Sequence, residues 1–293
     1  MLESSFVVPD GAPLEASSAV AEPPTEGIQI HVALRRWHGA HATSLRRLLS
    51  GLAPVIRSAR DGGLTTFWYR PRGPGVQLRL RGPALSSGVP EAVDEVLSQL
   101  RHGGFIGRWS TRPDGAGAIE DMPSLAVAGA HRWCDADTAT WLDWQQRVVP
   151  AGVRITTAVL SLAVVVDLFG RGCGHRSQQL RAWRTVARAR GPIPTAVARL
   201  PALSLGELAR LERPAVIPVL ARYRGANARL ATQLTALRDR VDPAQVLAQL
   251  ASSHFDRLGL GAATIARIGW AMVAACAGVG GAARPLALRI PPG

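Results

Sequence analysis

Apolar and polar positions alternate with a period of two along Ile28–Arg35 and Val76–Arg81, and shift to helical spacing over Ala42–Arg60. Between them, Phe67–Arg70 is an apolar-aromatic run followed by Pro71-Arg72-Gly73-Pro74-Gly75, which is turn chemistry, so 67–81 predicts a hairpin. A second helix is predicted over Pro90–His102, with Pro90 in its first turn, Glu91 and Asp94 close behind, and Gly103-Gly104 as its stop. Phe105–Ser110 reads as a strand. The order βαββαβ commonly folds as an antiparallel sheet with both helices on one face, the ferredoxin-like arrangement.

Beyond about residue 125 the pattern is helical: Asp137–Arg147, a buried run over 153–168, and Ser177–Arg190 ended by Gly191-Pro192. Ser204-Leu205-Gly206-Glu207 reads as a capping box, and a long helix follows to near Val241, striped by Val219, Tyr223, Leu230, Leu234 and Leu237. Asp242-Pro243 starts a helix running to about Leu258, and Gly259–Gly261 separates it from a last Ala-rich helix. The fold class is α+β, sheet first and helical layer second. A flexible segment, 1–27, leads into a sheet subdomain at 28–124 and a helical subdomain at 125–281, with 282–293 as a tail.

Composition narrows the chemistry. All 34 basic residues are arginine, so Schiff-base catalysis, pyridoxal phosphate attachment and a P-loop lysine are excluded. The net charge of +13 favours an acidic partner, but there is no arginine block, RNA-binding aromatic signature or zinc-finger spacing, so nucleic acid is not the expected partner. Cys134, Cys173 and Cys276 are far apart, giving neither a disulfide framework nor a metal site, and a reducing, cytoplasmic compartment is expected. Cys173-Gly174-His175 reads as a turn. Ile155–Val166 stops at Asp167 and Ala262–Gly281 contains Arg267 and several glycines, so both read as buried helices and no membrane span is expected.

Two constellations carry candidate chemistry. In the hairpin, alternation sets Gln77, Arg79 and Arg81 on one face and Leu78 and Leu80 on the other. The two guanidinium forks form a seat for carboxylate or amide oxygens, or else they keep a solvent-facing edge strand soluble. In the late helix, Ser252-Ser253-His254-Phe255-Asp256-Arg257 puts His254 in step with Val246 and Leu250, beside the buried stripe, where it either packs or titrates. Arg257 falls on the same side, while Ser252 and Asp256 pair on an adjacent face. His38 and His41 read as loop or cap residues, and His131, Cys134, Trp141 and Trp144 as anchors.

Phe67-Trp68-Tyr69-Arg70, Leu78-Arg79-Leu80-Arg81 and Ser253-His254-Phe255-Asp256-Arg257-Leu258-Gly259 resemble, in motif order, the glutamate-elimination domain of class I lantibiotic dehydratases, which also occurs alone in thiopeptide clusters. The resemblance runs from about Ile28 to Ala275. That family's hairpin reads aromatic-x-x-Arg then Pro-His-Leu-Arg-Leu-Arg; Tyr69, Arg70 and Leu78 to Arg81 match, with Gln77 in place of the histidine. Its late motif reads His-Met-His-x-Asn-Arg, of which His254 and Arg257 match and Asp256 stands for the asparagine. Eliminating members carry Tyr-x-x-Glu then Arg-Tyr-Gly-Gly after the last strand. Here 110–121 lacks both, which points to changed chemistry.

A branch with this scaffold is the thiopeptide pyridine synthase, which joins two dehydroalanines by a formal aza-[4+2] cycloaddition, closes the macrocycle, and expels water and leader peptide. The resemblance implies a precursor peptide as partner, with an acidic leader and an azole and dehydroalanine core, and no metal or other cofactor. It implies proton transfer by His254 with Tyr69, Ser252, Ser253 or Asp256. Substrate binding falls to Trp68, Arg70, Gln77, Arg79, Arg81 and Arg257. All of this expects Arg79, Arg81 and His254 to face one cavity. The competing expectations are a glutamate-eliminating half of a split dehydratase and a non-catalytic leader-binding protein.

Overall fold

The computed structural model describes residues 27–35, 43–114, 122–149, 152–153, 155–192 and 211–278. The first half contains β1 (Gly27–Leu34), α1 (Thr43–Asp61), β2 (Thr66–Arg72), β3 (Gly75–Arg81), α2 (Val89–His102) and β4 (Ile106–Pro113). The second half contains α3 (Ser124–Asp143), α4 (Thr157–Gly172), α5 (Arg176–Arg188), α6 (Ile217–Ala236), α7 (Pro243–Arg257) and α8 (Ala262–Ala277). The strands form one sheet in the order β2-β3-β1-β4. Every neighbouring pair is antiparallel, so β1 and β2 run the same way with β3 between them. A four-stranded antiparallel sheet followed by helices is thus present. At the hairpin, Gly75 is required by a close approach: a Cβ there would come within 2.0 Å of the Val32 carbonyl oxygen.

One sheet face is apolar. Ile28, Ile30, Val32, Val76, Leu78 and Leu80 are buried with Leu45, Leu48, Leu52 and Ile56 of α1 and Val93 and Leu97 of α2 in a continuous core. Trp109 of β4 donates its indole N–H to Asp94 of α2 at 2.7 Å on that side. The opposite face carries Trp68, Arg70, Gln77, Arg79, Arg81, Gln29, His31 and Arg112, which the register aligns across the strands.

The helical half packs on β2, an edge strand, through α3 and α7. An edge strand presents unpaired backbone groups, and here two of them are satisfied from the helices. The Phe67 N–H donates to Asp135 Oδ1 at 2.7 Å, and the Tyr69 carbonyl accepts from Arg257 Nε at 2.9 Å. Behind this seam α3 packs on α6, α6 on α4, and α5 on both α7 and α8.

Several expectations are corrected. β3 is an inner strand with Gln77 and Arg79 buried, so Arg79 does not belong to a solvent-facing edge. The helix expected from Asp137 begins at Ser124 and ends in a π turn over Trp144–Val148. The exposed face of its start carries Leu125 and Ala128 before Arg132, so apolar residues stand on both faces and no polar stripe reveals it. The next helix starts at Thr157, where the Thr156 hydroxyl accepts from the Val159 N–H at 3.4 Å. The long helix ends at Ala236 instead of near Val241. The capping box at Ser204–Glu207 lies outside the described residues, as do His38 and His41. Among the described residues no helix is long and apolar enough to cross a membrane.

Candidate active-site cleft

A cleft of about 540 Å³ opens where the arginine-bearing sheet face meets the helical half. Trp68, Arg70 and Arg72 reach it from β2, Cys134 from α3, Arg190 from the end of α5, and Gln249, Ser252, Ser253 and Asp256 from α7. The α7 contribution follows from helical spacing: 249, 252, 253 and 256 fall on one face. Arg190 donates to Asp256 Oδ2 at 2.5 Å, fixing that carboxylate on the cleft wall. Burial raises the Cys134 thiol pKa, which keeps it protonated and unsuited to nucleophilic attack.

Trp68 is held in place from two directions. Its indole N–H donates to His131 Nδ1 at 3.3 Å, and the Arg79 guanidinium sits 5.2 Å from the ring centroid. An indole nitrogen only donates, so His131 Nδ1 is the unprotonated nitrogen. Burial, with the positive charges of Arg81 and Arg79, brings the His131 pKa down to about 4, so the ring is neutral near pH 7. Arg79 also donates to Asp114 Oδ1 at 2.8 Å, and Arg81 lies 3.0 Å from Asp114 Oδ2. Burial raises the Asp114 pKa, and the two arginines oppose that rise.

The other half of the late motif lies behind the cleft. Asp137 of α3 is fully buried and accepts from Arg257 through Oδ2, from His254 Nδ1 at 2.9 Å and from the Tyr223 hydroxyl at 3.1 Å. Since a carboxylate only accepts, His254 Nδ1 carries the proton, and its Nε2 is buried with no hydrogen-bond partner. Arg257 already balances the Asp137 charge, and burial brings the His254 pKa down to about 3, so the imidazole is neutral. Its ring packs edge-on against Trp133 and Tyr223. Arg257 also donates to Ser253 Oγ at 3.2 Å, which ties the buried cluster to the cleft wall. The Tyr69 hydroxyl donates to the Arg257 carbonyl at 3.4 Å, and burial drives its pKa upward.

The single cavity expected for Arg79, Arg81 and His254 is therefore absent among the described residues. Trp68, Arg70, Ser252, Ser253 and Asp256 line the cleft, while Tyr69, Gln77, Arg79, Arg81, His254 and Arg257 do not. The physical reason is charge pairing: Asp114 draws in the hairpin arginines and Asp137 draws in Arg257 and His254. Sequence reasoning missed Asp114, Asp135, Asp137 and Arg190, while His131, read as an anchor, is buried and holds Trp68. The available signal was the pair of carboxylates in His131-Arg132-Trp133-Cys134-Asp135-Ala136-Asp137, set among residues that otherwise bury. No group of three His, Cys, Asp or Glu among the described residues is arranged to hold a metal ion.

No protein-family model and no curated protein matches the sequence. The structure is similar to the crystal structure of the tRNA-dependent lantibiotic dehydratase MibB from Microbispora sp. 107891, with a TM-score of 0.65 and 14% identity. The match covers 92% of this chain and 28% of that one, so the chain spans little more than a quarter of its neighbour's length. What the two share at this identity is a fold: the chain has a lantibiotic-dehydratase-like architecture.

Proposed function

We propose that the chain modifies a ribosomally made peptide as a thiopeptide pyridine synthase on a ferredoxin-like and helical scaffold. The supporting observation is the cleft at the seam of the two halves, bounded by 68–72 of the hairpin and 249–256 of α7, the segments that carry the family resemblance. Its volume lies within the range of about 300–1,000 Å³ found for ligand pockets. Two dehydroalanines held there in near-attack geometry would close by a formal aza-[4+2] cycloaddition. Loss of water and of the leader amide then gives the pyridine and the macrocycle, with no net oxidation or reduction. Positioning supplies much of the acceleration in such a reaction.

In this reading Trp68 is an aromatic wall for azole rings, and Arg70 and Arg190 polarise or orient amide oxygens. Ser252 and Ser253, with Asp256 beside them, stand where protons leave carbon and reach the departing groups. His254, Arg257, Asp137 and Tyr69 act as positioning residues, because the imidazole and guanidinium are paired behind the wall. The test is mass spectrometry of the protein incubated with a dehydrated, azole-bearing precursor. Macrocycle plus free leader is the expected product, and unchanged precursor contradicts the reading.

The likeness to a part of a dehydratase favours a second reading, glutamate elimination as one half of a split enzyme. A glutamylated peptide distinguishes it, since that activity would release glutamate and leave dehydroalanine.

A further inference from the structure

α5 and α7 pack side by side and run the same way, since Arg181 pairs with Asp242 at 2.8 Å and Arg190, just past the end of α5, pairs with Asp256 at 2.5 Å. Between those two ties Thr185 comes level with Gln249, and both line the cleft. They present acceptors there. Thr185 gives its only hydroxyl hydrogen to the Arg181 carbonyl at 3.0 Å, so toward the cleft its oxygen can only accept. Gln249 Oε1 is buried and has no hydrogen-bond partner among the described residues. An acceptor left unmet in this way is costly. The torsion that carries the terminal amide is broad, so Oε1 turns toward a donor in the cleft without straining the side chain. The cleft's carboxylate, Asp256, stands about two helical turns further along α7 and is held by Arg190.

We propose that Gln249 is a specificity-determining residue that accepts a backbone N–H of the bound peptide, so that the cleft takes a secondary amide at this level and rejects an azole or an ester there. The chemistry selects the group. Each ordinary peptide unit carries one N–H donor that needs an acceptor once it leaves water. In an azole that nitrogen has been drawn into the ring without its hydrogen, and in an ester an oxygen replaces it. Ser252 and Ser253 follow Gln249 by about one helical turn, so the N–H it takes belongs to the segment adjoining the reacting groups. A site built around such a hydrogen bond rejects the analogue that lacks the donor, because the acceptor is then left buried and unpaired. The inference rests on the peptide-substrate reading and adds to it which backbone group the cleft recognises and where an azole ring does not fit.

The experiment uses the full chain and a fluorescein-labelled core peptide that keeps its azoles but has alanine in place of both dehydroalanines, so that it binds without reacting. Single ester bonds replace its ordinary amides one position at a time, and affinity is read by fluorescence anisotropy. An ester keeps the size of the amide and removes only the N–H donor and part of the carbonyl's strength as acceptor. One position is expected to lose about tenfold in affinity, which corresponds to about 1.4 kcal/mol, while the others stay within about twofold.

The same pair of peptides is then measured on Gln249→Met, which keeps the length of the side chain and removes its amide. There the sensitive ester and its parent amide are expected to bind within about twofold of each other, because the acceptor that told them apart is gone. The proposal is overturned if no ester position costs the wild-type protein more than about twofold, or if the tenfold loss persists in the variant. The scan on the wild-type protein decides the first point without any substitution, so a variant that fails to fold does not spare the proposal. Failure of the all-amide peptide to bind overturns the peptide-substrate reading together with the inference, whereas binding with no ester preference overturns the inference alone.

Discussion

Trp68 and Tyr69 are chain neighbours with opposite surroundings, and the same division runs through α7. Trp68 lines the cleft, backed by His131 and Arg79, while Tyr69 turns to the other sheet face and meets Arg257. In α7, Ser252, Ser253 and Asp256 reach the cleft, while His254 and Arg257 point back to Asp137. A strand period of two and a helix period of 3.6 thus split each motif into a lining and a lock. The lock joins the two halves of the molecule through Arg257 and Tyr69, by two hydrogen bonds to each other's backbone carbonyls and by the guanidinium against the phenol ring, while Asp137 fixes Arg257 from within the helical half. The lining is left with hydroxyls, one carboxylate held by Arg190, and an aromatic wall. Residue types that look catalytic in sequence are, in this case, the ones the fold needs for its own cohesion.

The largest expected difference between the two regions is in stability. Asp137→Ala leaves Arg257 buried without its carboxylate and should cost about 3–5 kcal/mol in urea unfolding, whereas Ser252→Ala should stay within about 0.5 kcal/mol. Comparable losses at the two sites would erase the distinction between lock and lining. Activity should run the other way. Ser252→Ala/Ser253→Ala is expected to lower product formation by about a hundredfold or more at unchanged fold, read by mass spectrometry of timed reactions.

Acid provides a third contrast. His131 and His254 are neutral in the folded protein, with pKa values down to about 4 and about 3, while the unfolded chain protonates them near the ordinary value of 6.5. Their contribution to stability is therefore complete above about pH 6.5 and is lost as the pH falls toward those folded values, by up to about 1.4 kcal/mol per unit for each ring. Replacing His131 with Gln should flatten that slope between pH 6.5 and 4.5 in a thermal-unfolding series. The smallest effect belongs to the cleft's own ion pair. Arg190→Ala removes a partly exposed partner of Asp256 and should change stability by about 1 kcal/mol or less, and by still less at high salt.

Much of this was legible where the signal is local. The alternation of 76–81 places Gln77, Arg79 and Arg81 on one face, and the spacing of 246, 250 and 254 puts His254 on the buried stripe, both as found. The spacing also separates Ser252 and Asp256 from that stripe. What could not be read was which acid meets which base. Asp114 lies 35 residues from Arg79, and Asp137 lies 117 from His254 and 120 from Arg257. The first pair forms only once β3 and β4 are laid on either side of β1, and the other two only once α3 packs on α7, and no local pattern encodes either step. The start of α3 escaped for another reason, since its exposed positions include Leu125 and Ala128 and so present no polar face to give its period away.

The most direct test compares His254→Gln with Ser252→Ala/Ser253→Ala, each incubated with the dehydrated, azole-bearing precursor, with product measured per folded molecule. The account predicts that the histidine variant is less stable yet forms macrocycle at a rate within a few-fold of the wild type, and that the serine variant folds normally and forms almost none. A folded histidine variant without activity beside a fully active serine variant would contradict it.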